Sequence, residues 1–219
     1  MTPFRSTAAA LTALLVAPLA SSAVLAQEAA PTDALERIKI KNVDFAERRP
    51  GTNWKAYDKV LVQPVDVSFS RSWSARDYGT FGLSSSEVAR MRSGLAALVN
   101  EVFTKVLREG GYGIVEAPGE GVLAIKPDIV DLFVNAPDTM APGRSRSYVM
   151  NAGEMRLSLQ LSDSVTGTVL ARARDKRRGS ETGRLEWANS LYNRTEAERA
   201  LRGWAIQLRN ALDAVRAAP

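Results

Sequence analysis

Two stretches of the chain repeat apolar residues at every third or fourth position, which is the spacing of one face of an α-helix. The first begins with the capping-box sequence Ser-x-x-Glu at Ser84 and ends at Gly110. The second begins with a similar box at Thr195 and continues beyond Trp204. These patterns predict two long amphipathic helices, each with an apolar stripe that packs against a core.

Other segments alternate apolar and polar residues, which is typical of β-strands with one face in water. Before the first helix, the segment 59–69 changes its apolar face at Pro64, which predicts an edge strand or a strand bent by a bulge. Four more strands are predicted within 112–134 and 154–176.

The last two of these strands form the clearest predicted hairpin. Apolar residues occupy its odd-numbered positions and polar residues most of the even-numbered ones. If the turn places Leu161 opposite Val169, Arg156 lies opposite Arg174. Like charges that face each other across strands destabilise the pair unless an anion lies between them.

The order strand, helix, four strands, helix predicts an α/β (α+β) two-layer sandwich. We expect a mostly antiparallel four- to five-stranded sheet with two long amphipathic helices packed on one face. The single globular α/β domain is predicted at 54–217, after a flexible N-terminal lead at 27–53 that is rich in alanine, proline and charge.

The first residues have the order of a secretory signal peptide. One cation, Arg5, precedes the apolar run Ala8–Ala20, and small residues lead to a predicted cleavage after Ala26. The alternative is a retained N-terminal anchor. We expect a signal peptide at 1–26 and an exported, periplasmic protein, soluble or peripherally associated with the outer membrane, with no transmembrane span in the mature chain.

The composition excludes several kinds of active site. The chain contains neither histidine nor cysteine, so a Ser-His-Asp triad, a thiol nucleophile and an ordinary zinc site are all ruled out. It also lacks the phosphate-binding loop, dinucleotide-binding and EF-hand motifs. We predict no catalytic residue, no metal ligand and no cofactor, and we expect the protein not to be an enzyme.

A carboxylate-based hydrolase acting on envelope polysaccharide remains the alternative function, since glycosidases need only two carboxylates. The nearest such pair is Asp128 and Asp131. Three positions apart in a predicted strand, the two are expected to point to opposite faces of the sheet.

The predicted hairpin carries a row of cations at even-numbered positions, here called the cationic row: Arg156, Arg172, Arg174, Lys176 and Arg178. Two interpretations stay open. The row is either the solvated face of an edge strand or a binding surface for an anionic envelope component or an envelope protein. Nucleic acid is not an expected partner, because the net charge is only +5 and no aromatic residues alternate with these cations. Arg177, with odd parity, is expected on the other face.

A second candidate surface is the loop that contains Trp73, Tyr78 and Phe81 among charged residues. Aromatic side chains beside polar groups suit sugar or protein recognition. Alternatively, the rings fold back onto the core and anchor the loop.

Several segments resemble the bacterial family known as domain of unknown function 3313, among them WKAYDKVLVQPVDV and LSDSVTGTVLARARDKRRG. The resemblance covers roughly Trp54 to Val215, and its most specific element is the turn D-S-x-T-G-x-V-L that begins at Asp163. It implies an exported protein, commonly lipid-anchored and associated with the outer membrane, although this chain has no cysteine to acylate. It implies no catalytic residues. We therefore expect a non-enzymatic binding or assembly accessory domain of the cell envelope.

Overall fold

The described residues of the computed structural model form an eight-stranded mixed sheet with two α-helices. The structure describes residues 34–77, 82–135, 148–149, 153–178, 186–187 and 190–217. In chain order the strands are β1 (Glu36–Ile38), β2 (Phe45–Arg48), β3 (Lys59–Val62), β4 (Val67–Phe69), β5 (Gly113–Ile114), β6 (Val122–Val134), β7 (Tyr148–Val149), β8 (Gly153–Asp163), β9 (Val169–Arg178) and β10 (Glu186–Trp187). The helices are α1 (Ser85–Glu109) and α2 (Ser190–Ala217).

The strand order of the main sheet is β1-β2-β9-β8-β6-β3-β5, and β4 also pairs with β6. The prediction of a mostly antiparallel sheet of four to five strands is therefore wrong. Strand β3 runs parallel to both β5 and β6, and β4 runs parallel to β6. The parallel pairs follow from the chain order, because α1 connects β3 and β4 to β5 and β6, and a helical crossover returns the chain in the same direction.

Two of the additional strands come from the segment ahead of Trp54. Strand β2 pairs with the outer edge of β9, and β1 pairs with β2. Both strands are short and charged, so the alternation of apolar residues that marks a half-buried strand is weak in them. The pairing of β2 with β9, and of β1 with β2, makes both strands part of the sheet.

Another strand arises because the segment 59–69 divides at Pro64 into β3 and β4. Strand β6 lies beside both pieces: the Gln63 N–H donates to Ile125 O, and the Ile129 N–H donates to Asp66 O. Pro127 lies midway between these two bonds and has no N–H to donate. The gap between β3 and β4 therefore lies beside Pro127, the residue of β6 that has no N–H to donate.

Helix α1 begins and ends as its sequence predicts. The Ser84 side chain accepts from the Glu87 N–H, the Glu87 carboxylate accepts from the Ser84 N–H, and Gly110 is the C-terminal cap. Helix α2 begins at Ser190, so the start predicted at Thr195 is wrong. No proline or glycine separates 190 from 195, and a capping sequence can remain inside a helix when the preceding residues extend it.

One core joins both helices to the sheet. Its most deeply buried side chains include Val60, Phe103, Leu107, Leu123, Ile125, Ile129 and Leu201. The odd-numbered residues of β8 contribute Met155, Leu157, Leu159 and Leu161. Among the described residues, neither helix contains an apolar stretch long enough to cross a membrane. The predicted signal peptide at 1–26 lies outside the described residues.

Candidate functional site

The cationic row lies on the face of β8 and β9 that carries the even-numbered side chains of 154–160 and 172–178. We call it the open face. Odd-numbered residues of β8 are buried, and its even-numbered residues from Glu154 to Gln160 are only partly covered. On β9, Arg172, Arg174 and Arg178 are exposed. All five cations of the row therefore share one face, as their parity indicates.

The register of the hairpin differs from the predicted one. Arg156 lies opposite Lys176, and Arg174 lies opposite Ser158. The turn closes between Asp163 and Thr168, one residue later than predicted, and a β-bulge between Leu161 and Ser162 shifts the pairing once more. The predicted Arg156–Arg174 pair is thus wrong, because neither the turn length nor the bulge is marked by the alternation of apolar residues.

Glu154 organises one end of the cationic row. Its Oε1 lies 2.7 Å from Lys176 Nζ, and its Oε2 lies 3.1 Å from Arg178 Nε. The hydrogen bond from Lys176, together with the weaker effect of Arg178, lowers the pKa of the Glu154 carboxyl against the opposing effect of burial. One carboxylate therefore pairs with two cations of the row, and the three side chains together keep one positive charge.

A bulge in β6 brings a second carboxylate to the row. The pairing of β6 with β8 shifts between Val130 and Phe133, and Asp131 adopts a left-handed φ of 54°. Asp131 Oδ2 lies 3.7 Å from Arg156 Nε, which is a buried donor without a hydrogen-bond partner. The extra residue reverses the alternation of faces, as bulges do.

Asp128 also lies on the open face, directly across from Ser158. The expectation that Asp128 and Asp131 point to opposite faces is therefore wrong. Lys126 Nζ contacts Asp66 at 3.0 Å and Asp128 at 3.5 Å. The hydrogen bond to Asp66, followed by the charge of Asp128, raises the pKa of Lys126.

The middle of the cationic row meets β2. Arg172 Nη1 lies 3.6 Å from Glu47 Oε1, and Arg172 Nε donates to the side-chain Oε1 of Gln160 at 3.3 Å. The Arg174 guanidinium lies 5.8 Å from the ring centroid of Phe45, and Arg37 lies 4.4 Å from the same centroid. Within the described part of the chain, Arg174 is the cation of the row with no carboxylate partner.

The opposite face of β9 holds a buried carboxylate. Asp175 is 7% exposed. Its Oδ2 accepts from the Trp204 indole N–H at 2.6 Å and lies 3.4 Å from Arg177 Nε, while its Oδ1 accepts from the Asp44 N–H at 3.3 Å. These donors satisfy a charge that would be unfavourable in the core without them.

Arg177 lies between β9 and α2, on the side that its odd parity predicts. Its two terminal nitrogens donate to Ala200 O at 3.3 Å and to the Gln207 side chain at 2.7 Å. Its guanidinium also lies 5.2 Å from the ring centroid of Trp204. A Cβ atom at Gly203 would collide with this guanidinium, so the glycine inside α2 allows the close approach.

The aromatic loop is described only in part. Trp73 stacks on Phe69 with centroids 3.9 Å apart, and its indole N–H donates to Val134 O at 3.2 Å. Trp73 thus anchors the loop against the sheet. Tyr78 and Phe81, the other predicted binding residues of this loop, lie outside the described residues.

The D-S-x-T-G turn connects β8, β9 and the Trp54–Ala56 turn. Asp163 Oδ1 accepts from the backbone of Val165 and Thr166, and Oδ2 accepts from the Tyr57 hydroxyl at 3.0 Å. The Thr166 backbone N–H lowers the pKa of Asp163 most, whereas burial and then the Asp163 hydrogen bond raise the pKa of Tyr57 to about 12. Ser164 bonds both backbone groups of Gly119. The most specific motif of the sequence therefore has a structural role.

The pKa shifts of the carboxyl groups bear on the alternative hypothesis, a carboxylate-based hydrolase. A glycosidase needs one carboxyl group whose pKa is raised so that it can act as a general acid. In Glu154 and Asp163 the pKa is lowered instead. No group of three or more acidic residues that could hold a metal ion occurs among the described residues.

The chain matches one protein family and is similar to several solved structures. The family model for protein of unknown function (DUF3313) matches residues 41–208, and comparison with curated proteins gives no match. Among solved structures, a Xanthomonas campestris protein of family-model DUF330 is 13% identical, with 76% of this chain and 90% of that chain covered and a TM-score of 0.44. The minor lipoprotein from Acinetobacter baumannii is 10% identical, with 75% and 99% covered and a TM-score of 0.34. PelC from Paraburkholderia phytofirmans, a dodecamer, is 13% identical, with 77% and 96% covered and a TM-score of 0.33.

Proposed function

Because the chain belongs to the protein family of unknown function DUF3313, which supplies no catalytic residues, we propose that it is a non-enzymatic binding or assembly domain of the cell envelope. The open face binds an anionic envelope component through the cationic row. The signal-peptide pattern at 1–26 supports export to the periplasm, where such components are found.

The observation that carries this proposal is the placement of Arg174. It lies at the centre of the cationic row, between Arg172 and Lys176, and it contacts an aromatic ring rather than a carboxylate. The flanking cations are held in fixed directions by Glu47 and Glu154. An anionic group that bound at Arg174 would therefore meet a preorganised row of donors, which reduces the entropy lost on binding.

Anion binding near Arg178, an exposed cation at the end of the row, is supported by the weakness of its ion pair with Glu154. An exposed ion pair contributes about 0.2–1 kcal/mol, so a multivalent anion that replaces the carboxylate there loses little free energy. A phosphate group also matches the planar fork of an arginine better than a single carboxylate oxygen at 3.6 Å does.

The test is binding to purified lipopolysaccharide by the variant with Arg172→Gln, Arg174→Gln and Lys176→Gln. We expect the affinity to fall by about tenfold or more, which corresponds to about 1.4 kcal/mol, and the salt dependence of the residual binding to weaken. The melting temperature should change little, since exposed charges contribute little to folding.

A matched variant removes three exposed cations from α1: Arg90→Gln, Lys105→Gln and Arg108→Gln. It has the same net charge as the first variant but an intact cationic row, so we expect nearly native binding. Equal losses in the two variants would show that only net charge matters, and the open face would then be a solvated surface.

A further inference from the structure

A groove lined almost entirely by apolar side chains lies on the other side of the sheet, between the edge strands β1 and β2 and the C-terminal half of α2. Its volume is about 100 Å³. Strands β8 and β9 form its floor, and Trp54 and Trp204 both contribute to its wall. The groove lies mainly on the side of the sheet opposite the open face, and Glu47 and Arg172 border it from the open face.

Small side chains create this groove. Ala46 of β2 lies directly opposite Ala173 of β9, Ala171 follows on the same face of β9, and Ala211 of α2 also lines the groove. On the adjacent strand β8, the corresponding positions hold leucines, for example Leu159 opposite Ala173. The leucines of β8 also line the groove, and the alanines of β2 and β9 leave the space beside them.

Alanine is an unusual choice for these positions. Strands favour β-branched and aromatic residues, and protein cores are packed to the density of organic crystals. Three alanines on two neighbouring strands, facing a fourth on the helix, leave an apolar space that valine or leucine would fill. An apolar cavity of about 150 Å³ stays dry and binds small apolar molecules such as benzene. A groove of this kind is suited to an apolar ligand.

The polar groups at the α2 side of the groove already have hydrogen-bond partners. Asp175 accepts from Trp204, and the Gln207 side chain accepts from Arg177 and donates to Asn42 O. A peptide or a sugar would bring donors and acceptors that find no partners here, which is unfavourable. An alkyl chain brings none.

Two charged residues of β2, Glu47 and Arg48, border the groove, and the Glu47 carboxylate is paired with Arg172 at 3.6 Å. Arg48 lines the groove and is exposed, and it forms no ion pair among the described residues, although Glu36 lies opposite it on β1. Lys39 and Lys41 are exposed beside the groove-lining Ile38 and Ile40. This charge complements a ligand with an apolar chain and an anionic head.

We propose that the groove binds the alkyl chain of an anionic amphiphile, with its head group at Arg48. The chain lies against the alanine floor between β9 and α2, and the head group stays in solvent at the hairpin. The groove lies on the opposite side of the sheet from Arg174, at which the proposed function places the anion, although Arg172 of the cationic row also borders the groove.

The probe is bromododecanoate, used below its micelle concentration. Bromine quenches tryptophan fluorescence only at short range, and both Trp54 and Trp204 line the groove. We expect saturable quenching. Along a series of unlabelled carboxylates that compete with the probe, affinity should rise by about fourfold per methylene until the groove is full and then level off. Quenching that never saturates would overturn the proposal.

Two variants fill the groove from opposite sides, Ala173→Leu from the floor and Ala211→Leu from the helix. Each should weaken binding by at least about tenfold, because the added side chain occupies the space of the alkyl chain. Ala97→Leu, on the exposed face of α1, is the matched control and should bind as the native protein does. Native affinity in both groove variants would contradict the proposal.

The role of the head group is tested with two competitors, dodecylamine and inorganic phosphate, and with the variant Arg48→Gln. These measurements do not require the groove variants to be folded. Dodecylamine should compete several-fold more weakly than dodecanoate, and inorganic phosphate should not compete. Arg48→Gln should reduce that preference for the anionic chain. Equal competition by both chains would refute the assigned head-group charge, and competition by phosphate alone would refute the role of the groove.

Discussion

The main sheet carries ion pairs on both of its faces, and those ion pairs differ in how far they are exposed to water. On the open face, Lys126 and Asp66 form a close ion pair at 3.0 Å, yet the Asp66 side chain is 81% exposed. On the helix side, Arg177 and Asp175 lie farther apart, at 3.4 Å, and the Asp175 side chain is 9% exposed. The longer ion pair is expected to matter more for folding, because water screens the shorter one.

The comparison separates two uses of charge in one sheet. Beneath α2, Arg177 has partners on the helix as well as on its own strand, so it fixes the position of the helix. On the open face, the ion pairs of Glu47 and Glu154 join strands that the backbone already holds together. These pairs therefore do little to position one element against another.

The largest expected effect comes from removing the buried carboxylate. Asp175→Ala leaves Arg177 without its counter-charge and the Trp204 indole N–H without an acceptor, so we expect a loss of about 3–5 kcal/mol in the free energy of unfolding. Asp66→Ala, the matched change on the open face, should lose less than about 1 kcal/mol. Urea denaturation of both variants measures the difference. Similar losses would mean that the two faces do not differ as described.

Several features of this arrangement could be predicted from the sequence. The apolar spacing located α1 with both of its caps, and the alternation along β8 and β9 assigned the cationic row to one face and Arg177 to the other. Both patterns depend on which side of a helix or strand is buried. The spacing of apolar residues along the sequence indicates that side directly.

The rest depends on geometry that periodicity does not record. One bulge changes the pairing of β8 with β9, and another brings Asp131 to the face of Asp128. Phe45 was missed because its importance comes from a cross-strand neighbour, Arg174, rather than from its own pattern. The sequence signal that could have revealed the groove is the pair of alanines at core positions of β9, where a strand normally carries larger side chains.

A smaller effect is expected from replacing arginine by lysine on each face. Arg177→Lys keeps the charge but loses the planar fork that reaches Ala200 and Gln207, which should lower the free energy of unfolding by about 1–3 kcal/mol. Arg174→Lys should stay within about 0.5 kcal/mol of the native protein. Thermal unfolding of the two variants provides the measurement, and a larger loss for Arg174→Lys would reverse the comparison.

The smallest effect concerns the pH dependence of the open face. The pKa of Glu154 is lowered in the folded protein, mainly by the hydrogen bond from Lys176, so its stabilisation is present above the ordinary glutamate pKa and is lost as pH falls through the folded value. Glu154→Gln should therefore lower stability by less than about 1 kcal/mol at neutral pH, and the gap to the native protein should close as the pH falls below the ordinary glutamate pKa. Glu116→Gln, an exposed glutamate away from the cationic row, is the control and should show no such gap. Chemical denaturation across this pH range checks the result: a gap that persists in acid would mean that Glu154 acts through packing rather than through its charge.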